Sequence, residues 1–414
     1  MTDNNEAVRR ERERWKTDAS YDAAKDAKKL INDLRKGGEA STAVEFGEEA
    51  CALWPTYKNV RGALAWAYYD RDIKALEPET TTDSKRNVAT ASLARIQQLE
   101  DADPYSEYSA WPKSVLKLAT ALVDGSPNGA LELLMALDPS LLSTERSAEF
   151  PVSKAGQWHM NLTKALGKLE RWDLLLSRCD GALALDGILS SDNRVWIKRR
   201  RGLALEGLGR PSDAAIVFRE VRLEKPSWWI EADLARVAES AGLTDEAVGA
   251  CRRALSAPGP LAWRWKTAFL LARLLEKFDT ELAIMHYQLA RHLRVEAGWP
   301  PEKDLEEKSR ALGLSGKPPE SLDIKELRAY WSSHDDSSRT SGVVTKVFPG
   351  EHSGFITPDE ETTGIYFNMP QPPLAVGARV TFRMVDSFDN KKKQPSKKAV
   401  DIRAEKSNVG IADS

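Results

Sequence analysis

Apolar positions along most of the chain recur with the spacing of α-helices that bury one face. The clearest example is residues 201–226 (RGLALEGLGRPSDAAIVFREVRLEKP), where Ala214, Phe218 and Val221 follow one another at steps of four and three residues. Such steps place side chains on one stripe of a helix. Gly209, followed two residues later by a proline, is typical of a tight connection between two helices. The pattern predicts a helical hairpin.

The same small, apolar, apolar spacing recurs at nearly constant intervals. It is found as Ala43, Gly47 and Ala50, as Leu175, Cys179 and Ala182, as Ala247, Cys251 and Ala254, as Ala283, Tyr287 and Ala290, and in a poorer copy as Ala130, Leu134 and Leu137. From Leu175 onward, and including Ala214, successive copies start 39, 33 and 36 residues apart. A period of this length predicts stacked helix–turn–helix units.

These features resemble the tetratricopeptide repeat, a unit of about 34 residues with small residues where its two helices touch and a closing proline. Gly202 and Ala214 take the small positions, and Pro226 takes the closing one. The resemblance covers roughly residues 20–300. It implies a right-handed solenoid that holds a protein or peptide in its groove. Residues 77–87 (EPETTTDSKRN) depart from the pattern and indicate a loop.

Changes in composition mark the ends of this array. Residues 1–19 alternate positive and negative side chains (RRERERW), which predicts an exposed charged helix. After Gly313 the period stops, and residues 314–341 combine a turn, a short amphipathic helix and the polar stretch SSHDDSSRTSG. Because that stretch has almost no apolar side chain to bury, we expect a linker. The repeat domain is therefore assigned to residues 20–313.

A period of two begins at Gly342. Five short segments rich in β-branched and aromatic residues follow, separated by turn residues: GVVTKVF, SGFITPD, GIYFN, ARVTFRMV and KKAVDIR. This alternation predicts β-strands. Five short strands within residues 342–404 predict a small all-β barrel of the OB-fold type, followed by a tail at 405–414. The whole chain is expected to be mainly α, a helical-hairpin solenoid with this barrel at its C-terminal side.

The order and spacing of these segments resemble the cold-shock domain and the related S1 type of barrel. Gly342-Val343-Val344 is similar to the opening motif of that family, Ser353-Gly354-Phe355-Ile356 to the second, Ile365-Tyr366-Phe367-Asn368 to the third and residues 377–382 to the fourth. The resemblance implies that Phe355 and Tyr366 form a platform on which the bases of single-stranded RNA or DNA stack. Lys346, Ser353 and Asn368 replace the family's Trp, Phe and His.

These departures imply weaker stacking, with Lys346 reaching a phosphate and Asn368 bonding a base edge. Three further lysines, Lys391, Lys392 and Lys393, lie in DNKKKQPSKK between the last two segments. A barrel loop there borders the binding face, and its lysines can displace counterions from a phosphate backbone. The alternatives are a solvated hairpin loop for the lysines and partial burial for the two aromatic residues.

Partner contacts in the array are expected at aromatic and basic residues. Trp228 and Trp229 fall where a first helix begins, and Arg199 belongs to the run KRRR at 198–201. We expect the 13 tryptophans to fill wedges between hairpins. The alternative is a partner-binding aromatic patch inside the superhelix. Four consecutive helical residues cannot all face one groove, so at most two of the basic run point into it.

Charge and composition limit the function classes. The 414 residues carry 60 Lys and Arg against 62 Asp and Glu, a net charge of −2, so any nucleic-acid binding must be local. No apolar run approaches the roughly 18 residues of a membrane-spanning helix, and the charged N-terminus lacks the apolar core of a signal peptide. Three widely separated cysteines favour a reducing compartment. We expect a cytoplasmic protein.

Catalytic and metal-binding patterns are not found in the sequence. The chain has no glycine-rich phosphate loop, no Gly-x-Ser-x-Gly elbow, no His-Glu-x-x-His and no Cys-x-x-Cys. Its five histidines are scattered without a partner at ligand spacing. We expect no catalytic residue, no metal and no cofactor, and therefore no enzyme.

Two functions remain open. The first is an adaptor that binds a protein through its repeats and single-stranded RNA or DNA through its barrel, because a tether raises the effective concentration of a weak contact. This pairing of domains resembles proteins of prokaryotic conflict (defence) systems. The alternative is a pure protein-interaction scaffold whose barrel is a docking or autoinhibitory module.

Overall fold

The fold is described from a computed structural model over residues 2–18, 20–146, 152–185, 187–314, 322, 324–333, 339–348, 353–359, 361–369, 373–389 and 394–404. Within these ranges the chain forms 17 α-helices followed by five β-strands. It divides into two compact units, Met1–Gly209 and Arg210–Ser414. The predicted class, a helical-hairpin array followed by a five-stranded barrel, is confirmed.

The first unit is helical. Its helices are α1 (Thr2–Trp15), α2 (Tyr21–Lys36), α3 (Ala40–Leu53), α4 (Lys58–Tyr68), α5 (Asp83–Leu99), α6 (Trp111–Leu122), α7 (Pro127–Met135), α8 (Lys154–Lys168), α9 (Trp172–Ala184) and α10 (Ser191–Gly207). Consecutive helices pack on each other, and alternate helices also touch, with α2 on α4, α6 on α8 and α8 on α10. This is the packing of stacked hairpins.

Hydrogen bonds between alternate helices repeat at nearly the predicted period. Asn161 Nδ2 on α8 donates to Thr120 Oγ1 on α6 over 2.8 Å, across 41 positions of sequence. Arg200 Nη1 on α10 donates to the Met160 carbonyl on α8 over 3.0 Å, across 40 positions. Equivalent positions of successive hairpins are therefore bonded to each other.

The predicted seam positions are buried. Every residue of the repeated triplets is in the core, including those of the poorer copy around Leu134. Burial raises the pKa of the Cys179 thiol to about 12 and also raises that of Cys251. Because thiols in this state are protonated at neutral pH, both cysteines act as small apolar residues.

Turns between the helices of a hairpin require a left-handed backbone. Gly209 has a φ of +71° and Gly242 a φ of +75°, a region that glycine adopts without steric cost. Glu170 stands between α8 and α9 with a φ of +54°, and it is the one non-glycine residue with a positive φ in the described ranges. A side chain in this region is strained.

Two local features of the first unit depart from the sequence pattern. The segment at 77–87, expected to be a loop, becomes helical at Asp83, because the Thr82 side chain accepts a hydrogen bond from the Lys85 backbone N–H and caps α5. In addition, α4 continues directly into a π-helical turn, Tyr69–Ile73. Neither feature is visible in the spacing of apolar residues.

The second unit begins with helices. They are α11 (Pro211–Glu224), α12 (Trp228–Ser240), α13 (Thr244–Ser256), α14 (Trp265–Leu275), α15 (Thr280–Glu296), α16 (Lys303–Ala311) and α17 (Ile324–Ser333). As predicted, a helix begins at Trp228, and another begins at Trp265. Of the segment expected to be a linker, α17 packs on α13 and buries Leu327 and Trp331. Residues 315–321, 323 and 334–338 of that segment lie outside the described residues.

The five strands form a closed barrel. They are β1 (Arg339–Val347), β2 (Ser353–Pro358), β3 (Ile365–Asn368), β4 (Arg379–Asp389) and β5 (Gln394–Ala404). Around the barrel the order is β1-β2-β3-β5-β4, with β3 and β5 parallel and the other pairs antiparallel. Its core is made by Val344, Ile356, Ile365, Phe367, Val380, Phe382 and Ala399. Each strand overlaps one of the predicted segments.

Candidate nucleic-acid interface

Neighbouring strands bring the predicted stacking residues together. Phe355 on β2 is paired with Tyr366 on β3 and, on its other side, with Lys346 on β1. Directly opposed residues of paired strands point to the same face of a sheet. The three side chains therefore form a row across β1, β2 and β3.

A β-bulge decides which side chains of β1 join this row. The pairing with β2 shifts register between Val344 and Lys346, which leaves Thr345 as an extra residue. Simple alternation would turn Lys346 inward with the buried Val344. Because of the bulge, Lys346 is exposed, Val347 packs on the barrel core and Phe348 faces outward.

Three aromatic rings line this face. The rings of Phe348 and Phe355 are 5.7 Å apart at 70°, and those of Phe355 and Tyr366 are 6.0 Å apart at 76°. These are edge-to-face contacts. Tyr366 is 39% exposed, and the two phenylalanines are half-buried. We call Phe348, Phe355 and Tyr366 the aromatic platform; the sequence pattern pointed to the last two and missed Phe348.

A lysine lies at each end of the aromatic platform. Lys346 Nζ is 5.0 Å from the centre of the Phe348 ring, and Lys398 Nζ is 5.7 Å from that of Tyr366. Lys398 comes from β5, which runs parallel to β3 and places it opposite Tyr366. The sequence pattern included Lys398 in DNKKKQPSKK but did not single it out, because only the long-range pairing of β3 with β5 brings it beside Tyr366.

The remaining predicted residues have different positions. Asn368 is exposed at the end of β3, opposite the buried Ser353. Lys391, Lys392 and Lys393 lie outside the described residues. The described part of the face is therefore the aromatic platform with Lys346, Lys398 and Asn368 around it.

Gly354 allows β1 and β2 to pack closely over the core beneath this face. A Cβ at this position would overlap with the carbonyl oxygen of Lys346 and lie 2.7 Å from Cε1 of the buried Phe367. Only glycine therefore allows β1, β2 and the core ring to approach so closely. The second-motif glycine therefore has a packing role in this barrel.

The barrel touches the helices of its own unit through β4. This strand contacts α11, and the charge of Arg383 on β4 acts on Glu231 of α12. Glu231 is buried and accepts a hydrogen bond of 3.0 Å from Arg253 Nε. Burial raises the pKa of this carboxyl, although Arg253 and Arg222 oppose the shift. In the barrel order β4 adjoins β1 and β5, so β2 and β3, which carry Phe355 and Tyr366, are the strands away from it.

Trp228 has a structural contact. Its ring centre lies 5.6 Å from the guanidinium carbon of Arg264, which is fully buried. Arg264 donates to the carbonyl oxygens of Leu255, Ala257 and Pro258 over 3.1, 2.6 and 2.6 Å. These bonds satisfy carbonyls at the C-terminus of α13. Trp228 therefore belongs to the joint between α12 and the end of α13.

Other tryptophans and the basic run are distributed as follows. Trp229 is half-buried in the second unit, whereas Trp263 is 64% exposed. In the first unit, the Arg199 guanidinium lies 5.7 Å from the Trp196 ring. Arg201 pairs with Asp180 over 2.6 Å. The basic run at 198–201 thus divides its side chains among several faces of α10.

Neither a metal site nor a membrane-spanning helix is found in the described residues. No group of three or more His, Cys, Asp or Glu there has the arrangement of a metal site. Among the helices described above, none is both long enough and apolar enough to cross a membrane.

The chain resembles several solved structures at low identity. One is a tetratricopeptide repeat protein from Parabacteroides merdae, with 12% identity over 69% of this chain and 96% of that one and a TM-score of 0.34. A second is the Rap conjugation gene regulator of plasmid pLS20 in complex with the Phr* peptide, with 15% identity over 75% of this chain and 85% of that one and a TM-score of 0.36. A third is the human IFIT1 dimer with PPP-AAAA, with 17% identity over 76% of this chain and 69% of that one and a TM-score of 0.39. No family model and no curated protein matches the chain.

Proposed function

We propose that this protein is an adaptor. Its barrel binds single-stranded RNA or DNA in the manner of an OB-fold of the cold-shock type, and its helical repeats bind a protein partner. The observation that supports the first half is the aromatic platform with a lysine at each end. The defence-system role implied by the resemblance is the setting we propose for it.

The platform has the chemistry of a single-strand site. Bases stack on aromatic rings whatever their sequence, with about 1–3 kcal/mol per base. Lys346 and Lys398 lie close enough to the rings to meet the phosphates that flank a stacked base. Asn368 offers an amide to a base edge beside Tyr366. Because the net charge of the chain is −2, these local cations have to supply the attraction.

The protein-binding half is supported by the architecture. A stack of helical hairpins exposes a long continuous face to which each repeat contributes side chains. Trp229 and Arg199 remain candidates on the two units, and Trp228 is a candidate only at its accessible edge, since its ring packs by Arg264.

The nucleic-acid half can be tested on the full chain. Fluorescence anisotropy with labelled rU12 and dT12 measures the dissociation constants of wild type and of Phe348→Ala, Phe355→Ala and Tyr366→Ala. Loss of one stacking ring should weaken binding about five- to hundredfold at fixed salt. Phe278→Ala is a matched control, because this ring is 70% exposed and lies in the helical part of the second unit. Platform variants that bind like wild type would contradict the proposal.

A second candidate function is favoured by the contact of β4 with α11. There the barrel is a docking module that packs on the helices through β4, with the charge of Arg383 within electrostatic reach of Glu231. Absence of salt-sensitive binding to either single strand, together with full binding of a protein partner, would favour this function over the adaptor.

A further inference from the structure

The first unit contains an aromatic ring, that of Trp66, with two cations near it. The guanidinium carbon of Arg35 lies 5.5 Å from the centre of the Trp66 ring, and Lys113 Nζ lies 5.3 Å from it. Lys113 Nζ is also 5.3 Å from the ring of Tyr69, which meets Trp66 edge-on at 5.4 Å. Together with Lys154, described next, these residues are called the cation–aromatic site.

Lys154 adds a further cation. It is the first residue of α8, where the positive end of the helix dipole disfavours a lysine. Burial lowers its pKa and the charge of Lys113 lowers it further, while the charges of Glu100 and Glu107 oppose the shift. Lys113 itself lies in the first turn of α6. The two lysines thus lie in the first turns of helices that pack on each other, within electrostatic reach of one another.

Successive hairpins contribute to the site. Arg35 lies on α2, Trp66 on α4, Lys113 on α6 and Lys154 on α8, and α2 packs on α4 as α6 packs on α8. Tyr69 comes from the π-helical turn that continues α4 and contacts α6. Isolated π-helical turns are found frequently at functional sites. The site therefore spans four neighbouring hairpins, a length suited to an extended chain.

Carboxylates near the site limit what it can accept. Asp70 accepts from Arg35 over 3.1 Å and is 3.5 Å from Lys74, so negative charge is interleaved with the cations. A continuous polyanion would meet repulsion at Asp70. Isolated carboxylates on a flexible chain can instead choose the lysines and avoid it.

An apolar contact is available beside the cations. Tyr108 is 78% exposed, and its carbonyl oxygen accepts a hydrogen bond of 2.7 Å from Trp66 Nε1. This bond fixes the edge of the Trp66 ring at the backbone of Tyr108, a residue whose side chain is accessible. An apolar side chain of a ligand could rest there while a neighbouring carboxylate meets Lys113 and Lys154.

We propose that the cation–aromatic site binds an acidic segment of the protein partner, with a carboxylate held by Lys113 and Lys154 and an apolar side chain beside Tyr108. The charge of the site is complementary to such a segment, and its four-hairpin length matches an extended peptide. The inference rests on the protein-binding half of the proposed function and names the chemistry of the partner.

The test uses the full chain and three labelled octapeptides of sequence EELEEFEE, QQLQQFQQ and KKLKKFKK. Fluorescence anisotropy at low salt should show preferential binding of the glutamate peptide. Lys113→Glu and Lys154→Glu should each weaken it at least about tenfold, and Lys113→Arg should retain it. Lys29→Glu is the matched control, because Lys29 is exposed on α2 and the charge change is the same. Melting curves of the variants verify folding.

The outcomes separate the two levels of the proposal. Equal binding of the glutamate and glutamine peptides, or Lys113→Glu and Lys154→Glu variants that bind like Lys29→Glu, would overturn the acidic site and leave a protein-binding role standing. Failure of all three peptides to bind would count against both. A labelled dT12 whose binding is lost in Lys113→Glu, with no glutamate-peptide binding in wild type, would identify a nucleic-acid site and overturn the inference.

Discussion

Trp331 donates its indole N–H to Nε2 of His286 over 2.9 Å, and both side chains are buried. Nδ1 of the same imidazole lies 2.8 Å from the carbonyl oxygen of Leu282. Because Nε2 accepts, Nδ1 carries the proton, and the ring is neutral. The bond fastens α17 to α15, while Arg252 of α13 stacks on Tyr330 at 4.1 Å.

Acid should destabilise this joint. Burial, assisted by the charge of Arg252 and opposed by the Leu282 carbonyl and Asp279, lowers the pKa of His286 to about 4. An unfolded histidine takes up a proton near pH 6.5, so between about pH 6.5 and 4 the unfolded chain binds more protons. The contribution of His286 to the free energy of unfolding should therefore be fully present above pH 6.5 and should be lost as the pH drops toward 4.

The contribution of His286 can be isolated by substitution. Burial likewise lowers the pKa of His159 to about 4, so wild type loses stability from both units. Denaturant unfolding at pH 7.5 and 5.0 should show a smaller loss for His286→Gln than for wild type. Equal losses in the two proteins would mean that His286 is protonated in the folded state.

A glycine at position 170 should stabilise the first unit. Glu170 has a φ of +54° in the turn before α9, where a side chain costs about 1–2 kcal/mol. We expect Glu170→Gly to raise the free energy of unfolding by roughly 0.5–1 kcal/mol, since the added flexibility of the unfolded chain offsets part of the gain. Gly242→Ala, at a φ of +75°, is the reverse control and should destabilise. A lower melting temperature for Glu170→Gly than for wild type would argue against strain at Glu170.

Gly354→Ala should unfold the barrel. The added methyl group would overlap with the Lys346 carbonyl and press on Phe367, and overpacking of this kind typically costs 1–3 kcal/mol or more. Gly62→Ala is a suitable control, because nothing lies within 4 Å of a Cβ there and the position is helical. Methyl and amide NMR signals of residues 342–404 report the outcome, and a native barrel spectrum in Gly354→Ala would contradict it.

Lys398 and Lys397 should differ in their effect on single-strand binding. Lys398 lies by the Tyr366 ring, whereas its neighbour Lys397 points to the other side of β5 and is exposed. Lys398→Gln should therefore lower affinity for dT12 and reduce the slope of log K against log salt by about one, as loss of one phosphate contact does. Lys397→Gln should leave the slope nearly unchanged. Equal slopes in both variants would remove Lys398 from the interface.

The array and the barrel were predictable because both rest on local periodicity. Steps of four and three residues placed Ala214 and Phe218 in the seam, and alternation placed Val344 and Ile356 in the barrel core. Phe348 was not predictable in this way, since the extra residue at Thr345 reverses the alternation just before it.

Contacts made across long stretches of sequence also escaped prediction. Trp331 ends the short amphipathic helix predicted in this segment, and its acceptor His286 is 45 positions earlier, so the local pattern indicated an apolar face but not what covers it. The cation–aromatic site joins Arg35 to Lys113 through Trp66 on three different helices, and each of these residues alone is unremarkable in sequence. Pairings of this kind depend on how hairpins stack and not on the pattern within one helix.

The bulge at Thr345 makes the outer face of the barrel tolerant of the loss of one residue from β1. Deleting the single codon for Thr345 would make Lys346 follow the buried Val344 directly, so that simple alternation would still turn Lys346 toward solvent and Val347 toward the core. One in-frame event could therefore remove the bulge without turning any residue of the face inward. Among related sequences, a β1 that is shorter by this one residue should carry the same outward side chains as this chain.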